Sequence, residues 1–187
     1  LTASDAAAKD EFGISVAISN SAVVVGASGV ASKSGAAYIF DTNGNQLLKL
    51  VAPDAATNDF FGRSVAISVS TIVVGAYGDD DGGASSGSVY VFNTAGTMLK
   101  KLIASDAGSF DSFGFSVAIS NSLIVVGAKG DDDGGSSAGA AYVFDTSGNQ
   151  ISKLVARDSA AFDAFGTDVA ISGSVIVVSS HKDDDAG

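Results

Sequence analysis

The dipeptide Phe-Gly recurs at Phe12-Gly13, Phe61-Gly62, Phe113-Gly114 and Phe165-Gly166, every 49 to 52 residues, and nothing else constrains the fold of the chain as strongly. A period of this length marks a repeat architecture, in which each unit is too small to bury its apolar surface alone and stacks on its neighbours. The repetition runs well past the dipeptide. Each Phe-Gly opens a strand-like segment: Ile14 to Ser19, Arg63 to Ser68, Phe115 to Ser120 and Thr167 to Ser172. A β-branched run follows, Val23-Val24-Val25, Ile72-Val73-Val74, Ile124-Val125-Val126 and Ile176-Val177-Val178. Gly-Ala closes it at Gly26, Gly75 and Gly127, where the fourth copy has Ser179-Ser180. Next come Tyr38-Ile39-Phe40, Tyr90-Val91-Phe92 and Tyr142-Val143-Phe144, and a last segment such as Met98 to Ala104 leads to the following Phe-Gly. Runs of this composition between turn signals predict four short strands per repeat, joined as hairpins.

Turn chemistry agrees with the strands. Between the first two strands there is room only for a tight turn such as Asn121-Ser122. Between the third and fourth, Asp41-Thr42-Asn43-Gly44-Asn45 and its counterparts at Gly96 and Gly148 place a glycine late in the loop. That position suits a type I turn followed by a left-handed residue and a G1 bulge. The glycines as a group are expected in turns, for the same conformational reason. In the first strand of the second copy, Phe61, Val65 and Ile67 share one face, and Gly62, Ser64, Ala66 and Ser68 the other. A bulky face against a small one interdigitates, so blades stacked around an axis would bury both.

Composition narrows the function classes. The 187 residues suffice for an ordinary core. Of 21 acidic residues only Glu11 is a glutamate. Aspartate favours turns and caps and is a poor helix former, so the fold class is all-β. A formal net charge of −11 argues against nucleic acid, whose binding needs a basic patch, and against anionic membrane surfaces. Divalent cations are a natural counterpart. Cysteine is absent, which removes disulfides, thiolate nucleophiles and cysteine-based zinc sites. No apolar run approaches the roughly 20 residues that span a bilayer, so direct membrane insertion is not expected. No secretory signal is read at Leu1, which opens inside a repeat, so the numbering is expected to begin at a mature or partial chain.

The run Leu1-Thr2-Ala3-Ser4-Asp5, followed by Phe12-Gly13, Ser15 to Ser19, Val24-Val25-Gly26-Ala27 and Ala37 to Phe40, resembles the FG-GAP repeat best known from integrin α subunits. The third copy, from Phe113-Gly114 through Gly127-Ala128 and Asp131 to Gly135 to Phe144, is similar to the variant found in bacterial and algal surface proteins. The resemblance covers essentially the whole chain and implies an extracellular β-propeller, commonly seven-bladed. Its repeats run approximately 12–60, 61–112, 113–164 and 165–187, the last incomplete, with 1–11 as the last strand and linker of a preceding or ring-closing blade. Just under four blades lead to the expectation of a larger propeller, the alternative being a small ring closed by Leu1 to Ser4. Two features depart from the integrin pattern. Where that pattern has a calcium loop between the Phe-Gly and Gly-Ala strands, this chain has only a tight turn such as Val69-Ser70-Thr71. The proline after Gly-Ala is replaced by Ser28, Tyr77 and Lys129.

Carboxylates carry the candidate chemistry. The triplets Asp79-Asp80-Asp81, Asp131-Asp132-Asp133 and Asp183-Asp184-Asp185 sit in the loop after Gly-Ala. Adjacent carboxylates repel, and calcium takes 6–8 oxygens from flexible, glycine-containing loops. Side chains alternate in an extended segment, so the convergent candidates for Ca2+ are Asp79 with Asp81, Asp131 with Asp133, and Asp183 with Asp185. The competing reading, a solvated acidic loop, is the favoured one, because one triplet offers only two convergent groups; the first copy (Ser28 to Ser34) lacks the triplet, so a cation is not required at every blade. Aspartates five apart precede every Phe-Gly: Asp5 and Asp10, Asp54 and Asp59, Asp106 and Asp111, Asp158 and Asp163. Their presence in all four copies fits turn closure at the corner between blades better than a ligand role. His181 is the sole histidine and fills a slot held by Tyr77 and Lys129 in other copies, so the repeat does not require it. No nucleophile elbow and no phosphate-binding glycine loop is present.

These features point to a non-catalytic structural or adhesion-type module, at the cell surface or outside the cell, with a protein or glycan partner on its loop face. The alternative is an accessory domain of a larger surface enzyme. Unpaired edge strands at the two ends make self-association a further expectation.

Overall fold

The computed structural model describes residues 1–19 and 22–184 and is nearly all β. Strands β1 (Phe12–Ser19), β2 (Ala22–Ala27), β3 (Ala36–Asp41) and β4 (Gln46–Leu50) form the first antiparallel sheet, in that order. Strands β5 (Ser64–Ser68), β6 (Thr71–Ala76), β7 (Ser88–Asn93) and β8 (Met98–Leu102) form the second. The third holds β9 (Phe113–Ser120), β10 (Leu123–Ala128), β11 (Ala140–Asp145) and β12 (Gln150–Leu154). The last contains β13 (Phe165–Ser172) and β14 (Val175–Ser180). Between β2 and β3 lies one irregular turn, α1 (Val30–Lys33), whose Ala31 and Ser32 have left-handed backbones.

The hairpin chemistry behaves as the sequence predicts. Gly44 donates to the Asp41 carbonyl (3.1 Å) at φ +89°, Asp41 N–H donates to Asn45 O (2.9 Å), and the β3–β4 ladder slips between Ile39 and Phe40. That is a bulge opened by a left-handed glycine.

The sheets stack as blades, with the first strands β1, β5, β9 and β13 side by side. At each interface the bulky face of one blade meets the small face of the blade before it. Phe61, Val65, Ile67, Ile72 and Val74 pack on Ala17, Ala22, Val24, Ala37 and Ile39. Phe113, Val117, Ile124 and Val126 pack on Ala66, Val73, Val89 and Val91 in the same manner. Stacking decides burial. Val65 and Ile67 are 6% and 8% exposed, whereas their counterparts Val16 and Ile18, with no blade before them, are 66% and 69% exposed.

The stacking also explains why Phe-Gly and Gly-Ala recur together, and it corrects the assignment of the glycines to turns. Gly26 lies inside β2, where a Cβ would collide with the carbonyl oxygen of Gly62 in the next blade. Gly75 meets Gly114, and Gly127 meets Gly166, in the same way. The two motifs are the two halves of one backbone contact between blades, and only glycine lets the chains come that close. Ser64 Oγ donates to Gly114 O (2.8 Å) and Ser116 Oγ to Gly166 O (2.9 Å), which fixes the serine of Phe-Gly-x-Ser in the second and third copies.

At the N-terminal end Ala3 is buried against the first blade and Ser4 N–H donates to Gln46 Oε1 (2.8 Å). Ser105 and Gln150 make the same contact at 2.9 Å. Leu1–Ser4 therefore sits on the first blade as the end of a preceding blade would, and adds no strand to the β13–β14 sheet.

Candidate functional site

The acidic loops are built around lysine. In the third blade Lys153, on β12, places Nζ 2.9 Å from Asp106 Oδ2, 2.8 Å from Asp131 Oδ2 and 2.7 Å from Asp133 Oδ2. The Tyr142 hydroxyl, on β11, lies 2.9 Å from Asp106 Oδ1 and 2.6 Å from Asp131 Oδ2, and its one proton serves one of them at a time. The second blade repeats the set. Lys101 Nζ is 2.7 Å from Asp54, 3.0 Å from Asp79 and 2.6 Å from Asp81, with Tyr90 2.7 Å from Asp54 and 2.8 Å from Asp79. In the first blade, which has no triplet, only Asp5, Tyr38 and Lys49 remain, with Lys49 Nζ 2.5 Å from Asp5.

Alternation along the loop works as expected. Asp79 and Asp81 converge, while Asp80 turns away to accept from Ser85 N–H (2.6 Å). Asp131 and Asp133 converge likewise. Asp183 is exposed, and Asp185 lies outside the described residues. The corner aspartates divide into two roles. Asp10, Asp59, Asp111 and Asp163 close the turn, accepting from the N–H three residues earlier at 2.6–2.7 Å. Asp5, Asp54 and Asp106 instead face the tyrosine and lysine, so in the first three pairs turn closure describes only one member. Sequence reasoning passed over those partners, although tyrosine and lysine stand eleven residues apart in all three complete copies.

Electrostatics follow the contacts. Burial pushes the Asp106 and Asp54 carboxyls up, but hydrogen bonds from lysine and tyrosine outweigh it and hold both below the ordinary carboxylate value. Burial alone would pull Lys153 and Lys101 down; their carboxylates lift both above the ordinary lysine value. Asp59 and Asp111 lie above the ordinary value, chiefly through burial, with repulsion from the nearby triplets adding to it.

One carboxylate oxygen each from Asp106, Asp131 and Asp133 lies within 4.8 Å of the others, an acidic triad of a size to hold a cation. The Lys153 ammonium is already ion-paired with all three residues, and a calcium ion needs 6–8 oxygens about a single point. With the ammonium in place the residues do not fit calcium, which could enter only by displacing it.

A family model for the FG-GAP repeat matches residues 1–40, 45–92, 97–144 and 149–187. The chain belongs to the FG-GAP repeat family. A search of curated proteins found no significant match.

The FG-GAP copies share their architectural positions and diverge at others, and three of the divergent sets meet in space. Ahead of Phe-Gly stand Glu11, Phe60, Ser112 and Ala164; after it, Ile14, Arg63, Phe115 and Thr167. After Gly-Ala stand Ser28, Tyr77, Lys129 and His181. Phe60 stacks on Tyr77 (centroids 4.8 Å apart), Tyr77 meets Phe115 edge-on (5.4 Å), and Lys129 Nζ lies 3.6 Å and Arg63 Cζ 4.7 Å from the Phe115 centroid. His181 Nδ1 is 3.1 Å from Thr167 Oγ1, which itself donates to Ala164 O (2.7 Å). The Phe-Gly and Gly-Ala contacts bring the starts of the inner strands together, and the divergent side chains beside them form one aromatic and basic ladder across the FG-GAP blades.

Proposed function

We propose that this FG-GAP domain is an extracellular, non-catalytic binding module, structural or adhesion-like, which contacts a protein or a glycan through its divergent face. The observation that carries the reading is the contiguous aromatic and basic ladder, built from positions that differ from copy to copy on a scaffold whose architecture repeats. Positions fixed by architecture, such as the glycine pairs and the Tyr–Lys–Asp corners, are held in every complete copy. Aromatic side chains and arginine, which depart from the pattern together here, are the residue types enriched where partners bind. FG-GAP repeats are typical of surface proteins, which supports the location, and among the described residues no helix is long and apolar enough to cross a membrane.

Calcium enters this reading only as a competitor of Lys101 and Lys153 for the acidic triads. The open faces at the two ends, Val16 and Ile18 on β1 and Val175 and Val177 on β14, offer the same complementary surfaces that meet inside the stack. We read them as seats for further blades, whether from a longer chain or from a second copy. A longer chain also accommodates the second reading, an accessory domain of a surface enzyme.

The test is surface labelling of intact source cells combined with crosslinked capture by the wild type and by an Arg63→Glu/Phe115→Ala variant. The expected result is labelling from outside and a partner captured only by the wild type. A strictly internal location, or capture indifferent to the substitutions, would refute the reading.

A further inference from the structure

A cavity of about 310 Å3 opens between the third and fourth blades, lined by Phe110, Lys129, Phe162, His181 and Lys182 together with small residues. Its two phenylalanines are anomalous. Phe110 and Phe162 are 68% and 62% exposed, and both hold left-handed backbones, at φ 71° and 74°. Every copy needs that backbone there, and the first two fill the position with Lys9 and Asn58. Asparagine adopts it readily and a bulky aromatic does not, so Phe110 and Phe162 carry strain with little burial to offset it.

The cations are equally unusual. Ion pairs between described residues centre on Lys49, Lys101 and Lys153, and among the described residues none is seen at Arg63, Lys129 or Lys182. Burial, then repulsion from Arg63 and Lys182, pulls the Lys129 ammonium below the ordinary lysine value. An anion in the cavity would relieve that repulsion. The His181 contact to Thr167 uses Nδ1.

We propose that this cavity binds a carboxylate-bearing sugar, a uronic-acid unit of an acidic glycan, with Lys129 and Lys182 facing its carboxylate and Phe110 and Phe162 packing on the C–H face of its ring. The inference rests on the binding face argued above and names its ligand class. The two chemistries of the cavity select this class. Exposed aromatic rings suit the apolar face of a sugar, and the ammonium groups suit a single carboxylate. A long polyanion is disfavoured by the net charge of −11, so the ligand is a short acidic segment presenting one carboxylate to the cavity. The volume lies at the lower end of ligand pockets, room for a sugar unit and its linkages.

Calorimetric titration of the full chain with short oligogalacturonates, their methyl esters and an oligo-aspartate peptide tests it. Oligogalacturonate should bind. The methyl ester should bind at least about tenfold more weakly, as should the Lys129→Met variant. Phe162→Ala should weaken binding about fivefold, while Lys100→Met, away from the cavity, leaves it unchanged. No heat with oligogalacturonate, or equal binding by Lys129→Met with its melting intact, overturns the proposal. Oligo-aspartate binding as tight as the sugar acid overturns the glycan assignment. Capture of a surface partner sensitive to Arg63→Glu/Phe115→Ala, without any uronate binding, would remove this inference alone and leave the binding module standing.

Discussion

Two groups of lysines in this chain live under opposite electrostatic rules. Lys101 and Lys153 each face three carboxylates within 3.0 Å and lie above the ordinary lysine value. Lys129 faces an aromatic ring, a guanidinium and another ammonium, and lies below it. The first arrangement recurs copy after copy, with Lys49 in reduced form, whereas the second occurs once. A charge whose folded environment favours it contributes to stability; a charge whose environment opposes it costs stability and is kept for another reason. On that criterion the corners are architecture, and the face around Phe115 and Lys129 is where function is to be sought.

The largest expected effect comes from breaking a corner. Lys153→Met leaves the carboxylates of Asp106, Asp131 and Asp133 without their ammonium, with Asp131 only 3% exposed. Losing one partner of a buried ion pair costs 3–5 kcal/mol; two of these carboxylates reach solvent, so about 2–3 kcal/mol is expected, a fall in Tm of roughly 5–10 °C for a chain of this size. Thermal unfolding with and without millimolar calcium sharpens the point. The wild type should melt alike in both, because the ammonium holds the focus, and the variant should recover part of its loss in calcium. A wild type that loses stability on chelation would reverse the assignment. Tyr142→Phe, which removes only the hydroxyl shared by Asp106 and Asp131, should cost about 1 kcal/mol.

These corners also mark where the sequence stopped being legible. The four-stranded unit, the bulky and small faces and the late hairpin glycine could be read because each depends on neighbours along the chain. The Gly26–Gly62 contact and the Tyr142–Asp106–Lys153 set could not, because they join residues 36 to 47 apart whose meeting depends on how blades and strands stack. The aspartate triplets drew attention as a local run, yet each is one side of a set completed by an aspartate from the corner and a lysine from the fourth strand. The recurrence of tyrosine, lysine and the first corner aspartate was the available signal, and it needed the question of what the three share.

Acidity and alkalinity should separate the members of a corner gradually. Asp54 and Asp106 are held below the ordinary 3.8, so their contribution is complete above it and lost as the pH falls through their folded values. Lys101 and Lys153 lie above 10.5, so theirs is complete below that and lost as the pH rises through their folded values. Asp59 and Asp111 act in the opposite sense: lifted above 3.8, they gain stability on protonation as the pH drops toward it. The melting temperature should therefore pass through a shallow maximum at mildly acid pH before falling. Asp111→Asn should flatten the rise while keeping an acceptor for the Gly108 N–H, and an unchanged profile would count against the assignment.

The smallest expected effect has the opposite sign, and the comparison of the two lysine groups stands or falls on it. Lys129→Met removes a charge opposed by burial, Arg63 and Lys182, and leaves an apolar side chain of similar length against Phe115. The melting temperature should hold or rise, by no more than about 0.5 kcal/mol, as is usual for a partly exposed substitution. Phe162→Asn places a residue suited to left-handed backbone at φ 74° and should stabilise by a similar amount, since the ring it removes is 62% exposed. If both variants melt at or above the wild type while surface capture and uronate binding fall, the face is retained against its own cost in stability. If Lys129→Met melts several degrees lower, its side chain supports the stack as Lys153 does and both kinds of lysine are architecture; if Phe162→Asn does, the ring is a support of the fold and not a retained cost.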